Sequence, residues 1–189
     1  MKTVTIVGVG ALGSHVVPLL RNDAKIRVVD MDRVETKNTQ SQFHAKSSVG
    51  KPKVLALQQV MQFLWGLRVE TIPHRLDRGN VKEIIGKSDL VLDCLDNGAS
   101  RQVIQDFVRT NGIPCLHGAL AADGAFGRVV WDESFKIDSE SGGAATCEDG
   151  KHLPFISVVS SYLAYSTQRF LNTGRKTGFE ISTAGVFCT

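Results

Sequence analysis

The chain has 189 residues, 42% of them hydrophobic, enough to bury one sizeable core and near the upper end of what a single domain usually holds. Its 22 lysines and arginines nearly balance 19 aspartates and glutamates, and a formal charge of +3 without a basic stripe argues against nucleic-acid binding. Four scattered cysteines without a C-x-x-C pair, no N-terminal signal segment and no apolar run approaching the ~18 residues of a bilayer span point to a reduced, cytoplasmic protein away from membranes.

Residues 4–9 are a β-branched run that meets glycines, and residues 11–20 carry apolar side chains at helical spacing, so the chain opens as strand, turn and helix, with Pro18 loosening the helix late. A second strand is expected at 25–30, a helix with one apolar face at 53–65, and a strand at 69–72. A short helix at 81–85, a buried strand at 89–92, a helix at 100–109 and a strand at 114–117 follow. This alternation predicts an α/β, Rossmann-like, doubly wound and mainly parallel sheet with helices on both faces. The period then changes. Residues 124–131 read as a strand with less helical cover, 132–150 as a polar loop, 155–171 as a helix and 179–187 as one final strand, giving a mixed C-terminal part. A single domain over 1–189 is expected, its nucleotide-binding half at about 1–120 and its loop, helix and strand at about 121–189.

Gly8, Gly10 and Gly13 spell G-x-G-x-x-G between the first strand and the first helix, where missing side chains let backbone N–H groups approach a phosphate. Asp30 closes the second strand, the usual place for an acid that bonds ribose hydroxyls. These residues by themselves fit NAD as well as ATP.

Further segments follow in order: D-M-D-R-V-E-T-K-N-T-Q-S-Q-F from Asp30, V-G-K-P-K ending at Lys53, and D-L-V-L-D-C-L-D-N-G-A-S-R ending at Arg101. G-I-P-C-L-H-G-A and T-C-E-D-G-K-H-L-P-F-I-S-V-V-S-S complete the set, which covers nearly the whole chain. In that order they resemble the ThiF and MoeB family, bacterial relatives of ubiquitin-activating enzymes. The resemblance implies binding of ATP with magnesium and transfer of AMP to the C-terminal glycine carboxylate of a ubiquitin-like or sulfur-carrier partner, releasing pyrophosphate. It also implies a homodimer. Carried onto this chain, it has Gly10 and Gly13 approach the nucleotide and Asp30 hold the ribose, with Asp32 nearby. It has Asn38 and Gln42 help place the phosphates, Lys53 neutralise their charge, and Asp96 hold magnesium with Asn97 beside it. Outside this order Lys53 would read as a solvated lysine at a helix start and Asp96 as a helix N-cap.

The chain departs from the pattern at Ser41, where the family usually carries an arginine that reaches the triphosphate; Lys37, Lys46 and Lys51 are the nearby bases that would substitute. The two C-x-x-C pairs of zinc-binding members are absent, which argues against a structural zinc. Cys147, in T-C-E-D-G, matches a position where some members carry a nucleophile for a covalent acyl intermediate; bystander and nucleophile both remain open, because Glu148 and Asp149 would raise its pKa. Cys94 and Cys115 read as small core residues, and His117 as packed or hydrogen-bonded. The competing readings are an NAD-binding Rossmann protein and a catalytically weak scaffold that binds a ubiquitin-like protein.

Overall fold

β1 (Thr3–Val7), β2 (Lys25–Val29) and β4 (Leu90–Asp93) are rich in β-branched and leucine residues because both faces of this part of the sheet are covered. The computed structural model, which describes residues 1–137 and 150–189, shows how alternate side chains divide. Val4, Ile6, Leu90 and Leu92 point to one face and meet α1 (Ala11–Leu19), α2 (Lys53–Trp65) and α5 (Leu153–Thr173). Val7, Val29 and Val91 point to the other and meet α3 (Val81–Ile85) and α4 (Gly98–Asn111).

With β3 (Glu70–Ile72), β5 (Cys115–Leu120), β6 (Phe126–Trp131), β7 (Phe179–Ser182) and β8 (Gly185–Cys188), the sheet has eight strands in the order β3-β2-β1-β4-β5-β6-β7-β8. The first five are parallel and the last three antiparallel. The switch at β6 has a simple cause. Only residues 121–125 join it to β5, with Gly124 at φ 66°, too short a link for the crossover that a parallel strand requires.

The expected final strand at 179–187 is instead the β7–β8 hairpin. Ser182 Oγ accepts from the Ala184 N–H at 3.2 Å and turns the chain. An alternating pattern is the same on either side of a two-residue turn, so periodicity reads two such strands as one. The helix expected at 100–109 runs further at both ends, from Gly98 to Asn111. Three short 3-10 turns, Thr36–Gln40, Lys46–Ser48 and Asp132–Ser134, have no apolar period that a sequence reading could detect, and the last begins the stretch expected as a loop.

Candidate functional site

The glycine loop links the C-terminal end of β1 to the N-terminus of α1, and its three glycines have different surroundings. Gly8 sits at φ 89°, and a Cβ there would lie 2.8 Å from the Cys94 carbonyl oxygen. At Gly13 a Cβ would lie 1.9 Å from the Gly8 carbonyl oxygen. Those two are needed for the turn and for strand–helix packing. Gly10 is different: an added Cβ would meet nothing nearer than Gln42 Nε2 at 3.8 Å. Gly10 is also the N-cap of α1, with no side-chain cap, so the first N–H groups of the helix have no intrahelical acceptor.

Neighbouring side chains hold this loop. The Val9 N–H donates to Asp30 Oδ2 at 2.8 Å, and the Asp32 N–H to Asp30 Oδ1 at 2.8 Å. Burial pushes the Asp30 carboxyl above its ordinary range, against the Lys53 ammonium and the two N–H donors. The Val9 carbonyl accepts from His44 Nε2 at 3.0 Å, and Ser14 Oγ donates to the Gly10 carbonyl at 2.6 Å while accepting the Phe43 N–H at 2.9 Å. His44 and Ser14 escaped the sequence reading because each bonds backbone, which no side-chain pattern announces.

Lys53 begins α2 directly after Pro52. It is buried, and its Nζ lies 3.1 Å from Asp32 Oδ2. Asn38 is buried with its Oδ1 accepting the Glu35 N–H at 2.8 Å in a capping box, a local task that the spacing E-x-x-N could have signalled. Ser41 is 1% exposed, its carbonyl 2.9 Å from His15 Nε2. Lys37 pairs with Glu35 and Lys51 bonds Gln59, so both have partners of their own.

The loop after β4 adjoins the glycine loop through Cys94 and Leu95, both within contact of Gly8. Asp96 on this loop is exposed, with no hydrogen bond or ion pair among the described residues. The N-cap of α4 is Asn97, whose Oδ1 accepts the Ser100 N–H at 2.9 Å; Asp96 does not cap the helix. No group of three or more His, Cys, Asp or Glu side chains capable of holding a metal occurs among the described residues. Cys147 lies outside the described residues, while Gly150, three positions on, is seated against Gln40. Cys115 is buried and Cys94 half-buried, and burial pushes both thiols well above the ordinary range.

Gly10, Gln42, Asp30, Asp32, Lys53 and Asp96 therefore gather at the C-terminal edge of the parallel strands, the edge where ligands bind in open α/β sheets. Known proteins resemble this chain in sequence and in fold. The SAMP-activating enzyme E1 of Haloferax volcanii is 37% identical over 124 residues, covering 62% of this chain and 45% of its own length. An adenylyltransferase and sulfurtransferase UBA4 of Lodderomyces elongisporus is 33% identical over 181 residues, covering 89% of this chain and 40% of its own. This chain thus spans less than half the length of these relatives. Among solved structures, E. coli MccB with MccA superposes with a TM-score of 0.82 at 15% identity, covering 100% of this chain and 63% of that one, a likeness of fold. The ThiF family description matches residues 1–182, and the chain belongs to the ThiF family.

Proposed function

We propose that this chain binds ATP with magnesium and adenylylates the C-terminal glycine carboxylate of a ubiquitin-like or sulfur-carrier protein. The observation that carries the reading is the meeting, at one sheet edge, of an uncapped helix N-terminus at Gly10, the buried Lys53 and the exposed Asp96. A carboxylate oxygen of the partner's tail forms a bond to the α-phosphorus, and the bond from that phosphorus to the bridging oxygen breaks. Pyrophosphate leaves with its electrons. Negative charge grows on the leaving group, where the N–H groups of α1 and the Lys53 ammonium stabilise it. On this reading Asp30 also bonds the ribose hydroxyls.

Magnesium fits this site as a shared ion. One exposed carboxylate, Asp96, would hold it together with phosphate oxygens and water, as suits a hard ion that gives up its water reluctantly. When bound, it offsets triphosphate charge. By the same reading the protein is a cytoplasmic homodimer, and Cys147 takes the acyl group from the adenylate.

The test is ATP–pyrophosphate exchange with a candidate carrier protein. We expect exchange in the wild type and a fall of at least about 100-fold in Lys53→Ala and Asp96→Ala, the loss typical of removing one charge-stabilising group. Unchanged exchange in both variants would sink the proposal. Binding of carrier without exchange would favour a scaffold, a reading that rests on the small buried Ser41. For Cys147→Ala, exchange should persist while a thiol-sensitive conjugate disappears.

A further inference from the structure

Beneath the Asp96 loop, at the ends of β4 and β5, lies a group of charged side chains that the proposed chemistry does not use. Asp93 and His117 are fully buried, and Arg101 and Asp132 nearly so. His117 Nδ1 lies 2.7 Å from Asp93 Oδ2, and its Nε2 lies 3.0 Å from Asp132 Oδ1. Each carboxylate has a further partner: Arg101 Nη1 is 3.5 Å from Asp93 Oδ2, and Arg109 Nε donates to Asp132 Oδ2 at 2.7 Å. Gln105 Nε2 adds a bond to Asp132 Oδ1 at 3.1 Å.

An ionised carboxylate can only accept hydrogen bonds. An imidazole with such an acceptor at each nitrogen must donate from both, so the His117 ring is a cation. Phe135 stacks on it with ring centroids 4.0 Å apart, and Arg101 lies over the same phenyl ring.

A buried ionic group is a poor source of net stability, because desolvation offsets most of the attraction. What this one holds is the backbone just ahead of Asp96. Asp93 Oδ1 accepts the Leu95 N–H at 3.0 Å, and Arg101 Nε donates to the Leu95 carbonyl at 2.9 Å. A second Arg101 nitrogen, Nη2, donates to the Gly118 carbonyl of β5 at 2.8 Å. Leu95 in turn touches Gly8 of the glycine loop. Arg101 is thus shared between Asp93 and the Leu95 carbonyl. Its Nη1 has no hydrogen bond among the described residues and faces Asp93. Without the hydrogen bond from residue 117 to its Oδ2, Asp93 would draw Arg101 toward itself and off Leu95.

We propose that His117 is a positioning residue, acting through Asp93 and Arg101, that sets the Asp96 loop against the glycine loop so that the Asp96 carboxylate can share the metal of a bound nucleotide. The proposal rests on the role given to Asp96 above. Its two arms separate by substitution. His117→Asn places an amide nitrogen where Nδ1 stands and keeps the bond to Asp93, whereas His117→Gln places one near Nε2 and keeps only the bond to Asp132.

The experiment measures manganese binding to the full chain by electron paramagnetic resonance, in the presence of a non-hydrolysable ATP analogue, alongside unfolding midpoints. Wild type should bind manganese with the analogue, Asp96→Ala should not, and His117→Gln should bind about 10- to 100-fold more weakly. His117→Asn should restore most of that loss, and the two His117 variants should unfold at similar denaturant concentrations. Equal manganese affinity in folded Asn and Gln variants, with Asp96→Ala still defective, overturns the positioning role alone. A wild type that binds no manganese with the analogue, or an Asp96→Ala variant that binds normally, overturns the Asp96 role instead. If His117→Gln does not fold, Arg101→Lys, which keeps the charge beside Asp93 but loses the fork to Leu95 and Gly118, decides in its place: weakened manganese binding is expected, and wild-type binding would overturn the proposal.

Discussion

Gly10 and Gly13 share one motif and lack side chains for opposite reasons. At Gly13 the missing atom would overlap backbone at 1.9 Å, whereas at Gly10 the space beyond is open apart from Gln42. Gly13→Ala should therefore destabilise the fold by roughly 3 kcal/mol, measured by chemical unfolding. Gly10→Ala should leave unfolding nearly unchanged and weaken ATP by roughly tenfold, about 1.4 kcal/mol, measured by calorimetric titration. Equal effects on stability would refute this division. Single residues also set the response to acid. Burial pushes the His44 imidazole down to about 4, against its bond to the Val9 carbonyl and with the help of Lys53 and His15. The unfolded chain then takes up the proton first, so this contribution is complete above the ordinary histidine pKa and is lost as pH falls towards 4, on the order of 3 kcal/mol in all. Asp132 behaves as a carboxylate held low. Its burial, which pushes upward, is outweighed by the hydrogen bonds of His117, Arg109 and Gln105, and the carboxyl sits at about 2, so its share is lost only below pH 4. His117 is raised, its two carboxylates outweighing burial, and its share is lost as pH rises through that raised value. Unfolding midpoints between pH 7 and 4.5 should fall in the wild type and fall less in His44→Gln; parallel slopes would refute the assignment.

At the scale of elements, α4 carries the Asp96 loop at its head and is capped by Asn97 alone of the two. Asn97→Ala should cost about 1 kcal/mol of stability, and Asn97→Asp should restore it, since an aspartate both caps and favours the positive end of the helix dipole. Denaturant midpoints check this. Among the described α-helices only α4 has a side-chain cap, so α1 is set apart by its start at Gly10 on the sheet edge and not by the missing cap. The D-N pair at 96–97 was visible in sequence, but which of the two caps was decided by the φ of −118° and ψ of 136° at Asn97, an extended geometry that no residue pattern specifies.

For the molecule as a whole, the open, parallel half of the sheet places its ligand edge where β1 and β4 lie side by side. A ligand bound there stabilises the whole fold by mass action. ATP with magnesium at about 100 times its dissociation constant should add about 2.7 kcal/mol, while NAD at the same concentration should add little. A larger thermal shift with NAD would reverse the choice between nucleotides.

The sequence by itself determined the parallel half of the fold and which candidate residues lie at the C-terminal ends of its strands. Hydrophobic runs between helical periods admit few topologies, and the ordered motifs that resemble the ThiF family lie within the residues 1–182 that match it. Tertiary structure alone decided the rest. It folded residues 179–188 into a hairpin, joined Asp32 to Lys53, and set His44 under the glycine loop. It also closed Asp93, His117 and Asp132, drawn from three separate stretches of chain, into one buried ionic group. Periodicity records which face of an element is covered, but a hydrogen bond between distant residues depends on where the sheet brings their strands, and that is a property of the whole chain.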